Sequence, residues 1–198
     1  MIDFSYILPL AFFVGYVSGA VPYGLIFTRL SGLGDIRQIG SGNIGATNVL
    51  RTGNKKVAAA TLLTDALKGA LPVIFFNIYF PQEAAALSAI GAFLGHVFPV
   101  WLMFKGGKGI AVFIGVLFAL HWHAGFVFIA VWAATAYLFR ISSLSALFAC
   151  IAAPAYLYVF GETEIALVAL VLASISFWAH RDNIKRILSR TEPKIGEQ

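Results

Sequence analysis

Charge is what this sequence has least of. Asp, Glu, Lys and Arg together make up 12% of its 198 residues, where a soluble domain carries about 25%. With 60% hydrophobic residues and a mean hydropathy of +0.85, the composition belongs to the membrane class, and the bilayer replaces a water-excluding core as the main apolar environment. A net charge of +5 in a soluble chain would suggest nucleic acid; here the placement of the charges matters more than their sum, and no nucleic-acid partner is expected. Cysteine is nearly absent as well. Cys150 alone excludes an intrachain disulfide and any CxxC metal or redox site, and its run ALFACIAAP offers no basic neighbour to favour a thiolate. The start of the chain lacks basic residues: the first is Arg29, and Asp3 stands near the terminus. A cleavable signal has the reverse polarity and a shorter apolar core, so residues 4–30 read as a retained membrane helix. Internal repeats are also missing, which argues against a repeat-built transporter.

What is present is a series of apolar runs. A crossing needs roughly 20 residues, and runs of that order occur at about 4–30, 57–80, 84–104, 144–160 and 164–180. The region 109–139 is too long for one crossing and is interrupted by HWHAG. It divides into a short helix over 109–121, only about 20 Å long, and a fuller one over 125–139. The expected architecture is an all-α integral membrane protein, one polytopic domain with seven transmembrane helices. Thirteen of the fourteen Lys and Arg residues fall at alternate turns or in the tail 181–198, while the turns PQE, HWHA and GETE hold none. The positive-inside rule then places the N-terminus outside and the C-terminus in the cytoplasm.

Against that background a few polar stretches need a reason. GSGNIGATNVLRTGNKK (40–56) holds four glycines, three asparagines and three basic residues. Gly40, Gly42 and Gly45 satisfy GxGxxG, with Asp65 twenty residues on, but no strand precedes them and no βαβ unit exists, so a dinucleotide site is rejected. The underlying physics still applies. Glycines let backbone N–H groups approach an anion, a helix starting near Ala46 aims its positive end there, and Ser41, Asn43, Thr47, Asn48 and Arg51 add donors. FKGGKGIAV (104–112) lacks Walker A spacing yet is a second glycine-rich, lysine-flanked turn entering a helix, with His96 about two turns upstream. In RISSLS (140–145), Ser142 or Ser143 is expected to cap the next helix. HRDNIKR (180–186) puts His180, Arg181 and Asn183 at the same face. Asp65 and Lys68 share a helix face as an intramembrane ion pair, either a functional interior or a lock between helices. His121 and His123 are spaced HxH without a clustered carboxylate and read as an interfacial turn with Trp122, not as zinc ligands. Each of the four loop stretches on the basic side is ordinary alone; phosphate recognition at the cytoplasmic face explains those four together.

SGNIGATNVLR (41–51), GHVFPVWLMFKGGKGIA (95–111), the serines after Arg140, HRDNIKR and TEPKIG (191–196) together resemble the motif set of the bacterial membrane glycerol-3-phosphate acyltransferases that use acyl-phosphate as donor, the PlsY family. The motifs fall in order along almost the whole chain. The resemblance implies a seven-helix inner-membrane enzyme that moves a fatty acyl group from acyl-phosphate to the sn-1 hydroxyl of glycerol 3-phosphate, giving lysophosphatidic acid and phosphate, the first step of phospholipid synthesis. It implies no cofactor and no metal, membrane lipid around the protein, and the enzyme that forms acyl-phosphate as a candidate partner. On this reading the catalytic set, which faces acyl-phosphate, is Lys105, Ser143, His180 and Asn183. The substrate-binding set is Ser41, Gly42, Asn43, Gly45, Thr47, Asn48, Arg51, His96, Gly106, Gly107, Lys108 and Gly109.

An acyl-phosphate is a mixed anhydride with a good leaving group, so placement and charge neutralisation suffice and no enzyme nucleophile is needed. The His/Asp signature of soluble-type acyltransferases is missing, since the residues five beyond each histidine are Trp101, Phe126, Phe128 and Lys185. The hydroxyl proton then goes to His180 or to a substrate phosphate, with the phosphate favoured in a cationic site. The rival reading from another class is a membrane transporter of a phosphorylated metabolite; a membrane scaffold would have no use for glycine-rich basic loops.

Overall fold

The computed structural model describes residues 6–196, so the first residues of the expected span 4–30 and the last two of the tail lie outside the described residues. The described chain is helical throughout and divides into two compact units, one up to Leu120 and one from His121. The first holds α1 (Ile7–Gly19), α2 (Tyr23–Leu30), α3 (Ala46–Leu50), α4 (Lys55–Tyr79), α5 (Gln82–Val97) and α6 (Ile110–Leu120). The second holds α7 (Trp122–Phe139), α8 (Ser142–Val159), α9 (Thr163–Ala179) and α10 (Arg181–Leu188).

Five segments are long and apolar enough to cross a bilayer: Ile7–Leu30, Lys55–Tyr79, Gln82–Leu102, Trp122–Phe139 and Ser142–Val159. The pair α9 and α10, bent by 63°, makes a sixth if taken as one broken span. With eleven residues, α6 is about 16 Å long, well short of a hydrocarbon core of about 30 Å.

Several boundaries differ from the sequence expectation, each for a local reason. The first run is not one helix. Pro22 has no N–H to offer and α1 gives way to α2 across Ala20–Pro22. The helix expected to continue to 104 stops at Val97, because Pro99 disfavours helical geometry at Phe98. The expected tail 181–198 begins as a helix: RDNIKRIL forms α10, whose apolar and charged residues segregate to opposite sides. Neither Ser142 nor Ser143 caps α8. Ile141 occupies that position without a side-chain hydrogen bond, and Ser143 is engaged elsewhere.

The first unit is built on a very close helix pair. Gly15 and Gly19 of α1 lie against the backbones of Ser88 and Ala92, and Gly91 and Gly95 of α5 lie against Phe12 and Tyr16. Each helix thus presents a GxxxG face, and close backbone approach replaces the hydrophobic drive that lipid cannot supply. The α1–α2 break is closed by side chains. Around the break Val21 O receives the Tyr23 amide at 3.1 Å, and side chains add the rest: Trp101 Nε1 donates to Ala20 O at 2.6 Å and Lys68 Nζ to Val21 O at 2.7 Å. Pro72 creates a matching orphan in α4, the carbonyl of Lys68, and Ser18 Oγ donates to it at 2.8 Å.

A Gly19→Leu substitution should therefore force α1 and α5 apart, lowering stability by at least about 1–3 kcal/mol. Thermal unfolding in detergent checks this.

Candidate active site

The polar stretch 36–51 is a tight turn organised around one side chain. Asn48 is 2% exposed. Its Nδ2 donates to the carbonyls of Ile36, Ile39 and Asn43 at 3.0, 2.9 and 2.8 Å, and its Oδ1 accepts from the Ser41 amide at 3.1 Å. Asn48 is thereby a loop organiser, and its amide is already committed to the backbone. Gly40 and Gly42 take positive φ, 55° and 69°, and a Cβ on Gly40 would meet Arg51 and Asn48. Below the turn, Ile36, Ile44 and Val49 pack with Leu25 and Ala58, and Leu102 joins them from the second glycine-rich loop. That apolar contact ties the two loops of the first unit together.

At the start of the turn, Arg37 grips Asp35 with both its side chain and its amide, and Arg29 adds a longer contact. These bonds, against a small opposing effect of burial, hold the Asp35 carboxyl well below the usual carboxylate range. Arg29 and Arg37 are thus occupied. Arg51 makes only a 3.4 Å contact with Asn48 Oδ1, so it is the guanidinium of this loop placed for an external anion. Ser41 and Thr47 are exposed, Asn43 and Gly45 half-buried, and Asn43 Oδ1 is buried with no hydrogen-bond partner. The helix expected near Ala46 is present, but with five residues its dipole is too short to hold an anion.

In the second loop three of the amides expected to cradle phosphate are engaged within the chain. The amides of Lys105, Gly106 and Gly107 donate to Leu102, Val97 and His96 carbonyls at 3.0, 3.1 and 3.0 Å. Those N–H groups are taken. Glycine is needed at 107 for space instead, since a Cβ there would run into the His96 imidazole. The loop is fastened at its other end by Tyr16, whose hydroxyl donates to Phe98 O at 2.7 Å. Lys105 is exposed, Lys108 half-buried, and Gly109 buried at φ 81° beside Phe93. The two turns of the first unit carry Ser41, Arg51, Lys105 and Lys108 among their hydroxyl and cationic side chains.

In the second unit the chain folds back on itself. Ser143 Oγ and Asn183 Nδ2 both donate to Glu192 Oε1, and Arg186 Nε donates to Oε2, each at 2.6 Å. Arg140 and Ile195 exchange two further bonds, Ile195 N to Arg140 O at 2.6 Å and Arg140 to Ile195 O at 3.1 Å. Burial alone would raise the Glu192 pKa; the bonds from Ser143, Asn183 and Arg186 outweigh it and hold the carboxyl below its ordinary value. Ser143 and Asn183 thus converge as donors on a single carboxylate oxygen, Glu192 Oε1. His180 is 3% exposed, and its Nδ1 lies 2.8 Å from Ser176 O. A carbonyl only accepts, so Nδ1 carries the proton and, in the neutral ring, Nε2 carries the lone pair. An apolar groove of about 790 Å³ runs between α8 and α9, bounded by Ile151, Pro154, Ala166, Leu170, Ala173 and Phe177. Phe177 stands three residues before His180.

Sequence reasoning missed Glu192. TEPKIG carries its only acid, and an acid closely following a basic helix was the available signal. It also missed His96 as a neighbour of Asp65, 3.9 Å from Nδ1 to Oδ1, because the two residues lie on different helices.

The fold and these clusters define an integral membrane protein with several oxyanion-competent side chains gathered on its polar loops. A family model for glycerol-3-phosphate acyltransferase matches residues 9–190, and the chain belongs to that family. It is 58% identical over 188 residues to a glycerol-3-phosphate acyltransferase of Rhodopseudomonas palustris (strain BisB5), covering 95% of this chain and 96% of the relative. It is 54% identical over 192 residues to one of Agrobacterium fabrum (strain C58), covering 97% and 94%. Crystal structures of PlsY, an integral membrane glycerol 3-phosphate acyltransferase, superpose with TM-scores of 0.87 for the glycerol 3-phosphate form and 0.90 for the lysophosphatidic acid form. Both are 32% identical to this chain; the first covers 96% of it and 94% of PlsY, the second 97% and 96%.

Because the Glu192 pKa is depressed, the stability that the carboxylate lends to the tail is present above the ordinary carboxylate range and is lost as pH falls through and below it. Proteolysis at Lys194 followed against pH should show protection at neutral pH and release only in strong acid, and Glu192→Gln should remove most of that pH dependence.

Proposed function

We infer that the protein transfers a fatty acyl group from acyl-phosphate to the sn-1 hydroxyl of glycerol 3-phosphate, releasing lysophosphatidic acid and phosphate. The observation that carries this reading is the match over nearly the whole chain to glycerol-3-phosphate acyltransferases, one of them crystallised in forms with glycerol 3-phosphate and with lysophosphatidic acid. The chemistry of the loops supports it. Glycerol 3-phosphate is assigned to Ser41 and Arg51 with help from Lys108, on a turn shaped by Gly42, Asn43, Gly45, Thr47 and Asn48. The resemblance assigns acyl-phosphate to Lys105, Ser143, His180 and Asn183.

The reaction balances without a cofactor. The sn-1 oxygen attacks the acyl carbon, a C–O bond forms, and the bond from that carbon to the phosphate oxygen breaks. Phosphate leaves with the electron pair. The hydroxyl proton passes to a phosphate oxygen of the substrates, which the neutral Nδ1–H tautomer of His180 assists by positioning rather than by taking a charge. Lys105 neutralises the departing phosphate, where a single preorganised donor is worth two to three orders of magnitude. Cys150, fully buried in α8, takes no part. The acyl chain is assigned to the groove between α8 and α9, whose α9 wall from Thr163 to Phe177 is about 21 Å long.

The same reading gives seven membrane crossings, with α6 as a short crossing and α9 as the last, an outer N-terminus, and the polar loops facing the cytoplasm at the inner membrane. The enzyme that makes acyl-phosphate is the expected partner. The basic turns and the resemblance of every loop motif support this arrangement.

Purified protein in lipid vesicles, supplied with palmitoyl-phosphate and glycerol 3-phosphate, should release phosphate in step with lysophosphatidate. Uptake of glycerol 3-phosphate into the vesicles without product would instead establish a carrier. Lys105→Ala should lower turnover by about 100-fold or more in a protein that stays folded; near-normal rates would defeat its assignment. Ala166→Phe, which narrows the groove, should depress the rate with palmitoyl-phosphate more than with octanoyl-phosphate, measured as a ratio of kcat/KM values.

A further inference from the structure

One buried ionic group has no part in the reaction as assigned. Asp65 and Lys68 on α4 are 2% and 4% exposed, with Lys68 Nζ 2.6 Å from Asp65 Oδ1. Lys68 Nζ also donates to Val21 O at the α1–α2 break and lies 5.6 Å from the Tyr23 ring centroid. On the other side of Asp65 stands His96 of α5, itself 4% exposed, whose Nδ1 is 3.9 Å from Asp65 Oδ1 and has no hydrogen-bond partner. His96 in turn carries the glycine-rich turn. Its carbonyl accepts the Gly107 amide at 3.0 Å, and Nε2 is the ring atom that fills the space a Cβ on Gly107 would take. A continuous line of contacts thus runs from the helix break through Lys68, Asp65 and His96 to the KGGKG turn, all within the first unit.

Burying two charges is costly, and an apolar pair of similar volume is often neutral or better for stability. An intramembrane pair therefore calls for a use. The gap between Asp65 and His96 is about 1 Å longer than a hydrogen bond. A small rotation of the imidazole closes it, and any such rotation moves Nε2 against the backbone of Gly107. We propose that Asp65, held in place by Lys68, fixes the orientation of His96 and through it the height of the KGGKG turn, making Asp65, Lys68 and His96 positioning residues for the phosphate-bearing substrate bound by Lys105 and Lys108. The substrate's identity rests on the acyltransferase reading; the mechanical coupling does not.

Asp65→Asn alone would strand a buried ammonium and destabilise the protein, so the decisive variant is Asp65→Leu with Lys68→Met, which removes both charges at similar volume. It should unfold within a few degrees of wild type, while KM for acyl-phosphate rises about tenfold and kcat changes much less. Hydrogen exchange at the Gly106 and Gly107 amides, which needs no substrate, should accelerate by a similar factor. His96→Asn, which leaves the ion pair intact, should give the same two shifts even if the double variant does not fold. Wild-type KM and wild-type exchange in a folded variant would overturn the inference. If the unaltered protein turned over no acyl-phosphate, the functional reading would fail, and exchange alone would still decide the coupling.

Discussion

In a helix bundle surrounded by lipid, every main-chain carbonyl needs a donor, and water is not there to supply one. The first unit breaks that rule by sequence at two prolines and repairs it by side chain. Pro22 interrupts the first apolar run, and Pro72 removes one rung from α4. Three donors answer: Trp101 to Ala20, Lys68 to Val21, and Ser18 to the Lys68 carbonyl. Because Trp101 belongs to the loop that leads into KGGKG, closing the break also fastens that loop. Lys68 can serve Val21 only because Asp65 compensates its charge. Backbone satisfaction, ion pairing and loop placement are therefore parts of one arrangement.

The same economy of donors decides how anions are held. Both glycine-rich turns look from their sequence like cradles of peptide N–H groups. In the folded protein those groups are turned inward: Gly42 bonds Ile39, Gly106 bonds Val97, and Gly107 bonds His96. What faces outward is hydroxyl and cation. Glycine in the second turn makes room for the His96 ring, a requirement of packing. In the second unit the Glu192 carboxylate accepts from Ser143, Asn183 and Arg186, three donors whose common partner the sequence did not reveal.

The helices were largely legible because long apolar runs have few alternatives in a bilayer, and α6 was recognised as short from its length alone. The ends were less legible. α5 stops at Val97 through the steric effect of Pro99 on Phe98, and α7 starts three residues before its expected position because His121 caps it, accepting from the Ala124 amide. The GxxxG pairs at 15–19 and 91–95 stood in plain view and specify the tightest helix contact of the first unit. Asn48 was visible as a polar residue but not as an organiser, since a side chain with six possible partners reveals its choice only once the loop is closed. Ser143 was read as a cap because a serine beside a helix start is usually one; its true partner, forty-nine residues later, has no local signature.

That separation has a temporal side. A chain emerging from the ribosome inserts α8 and presents Ser143 long before Glu192 exists, and α9 and α10 must be made first. The carboxylate that seats Ser143 and Asn183 is thus made only after α8, α9 and α10, so this cluster matures with none of those helices singly but once all three have been synthesised.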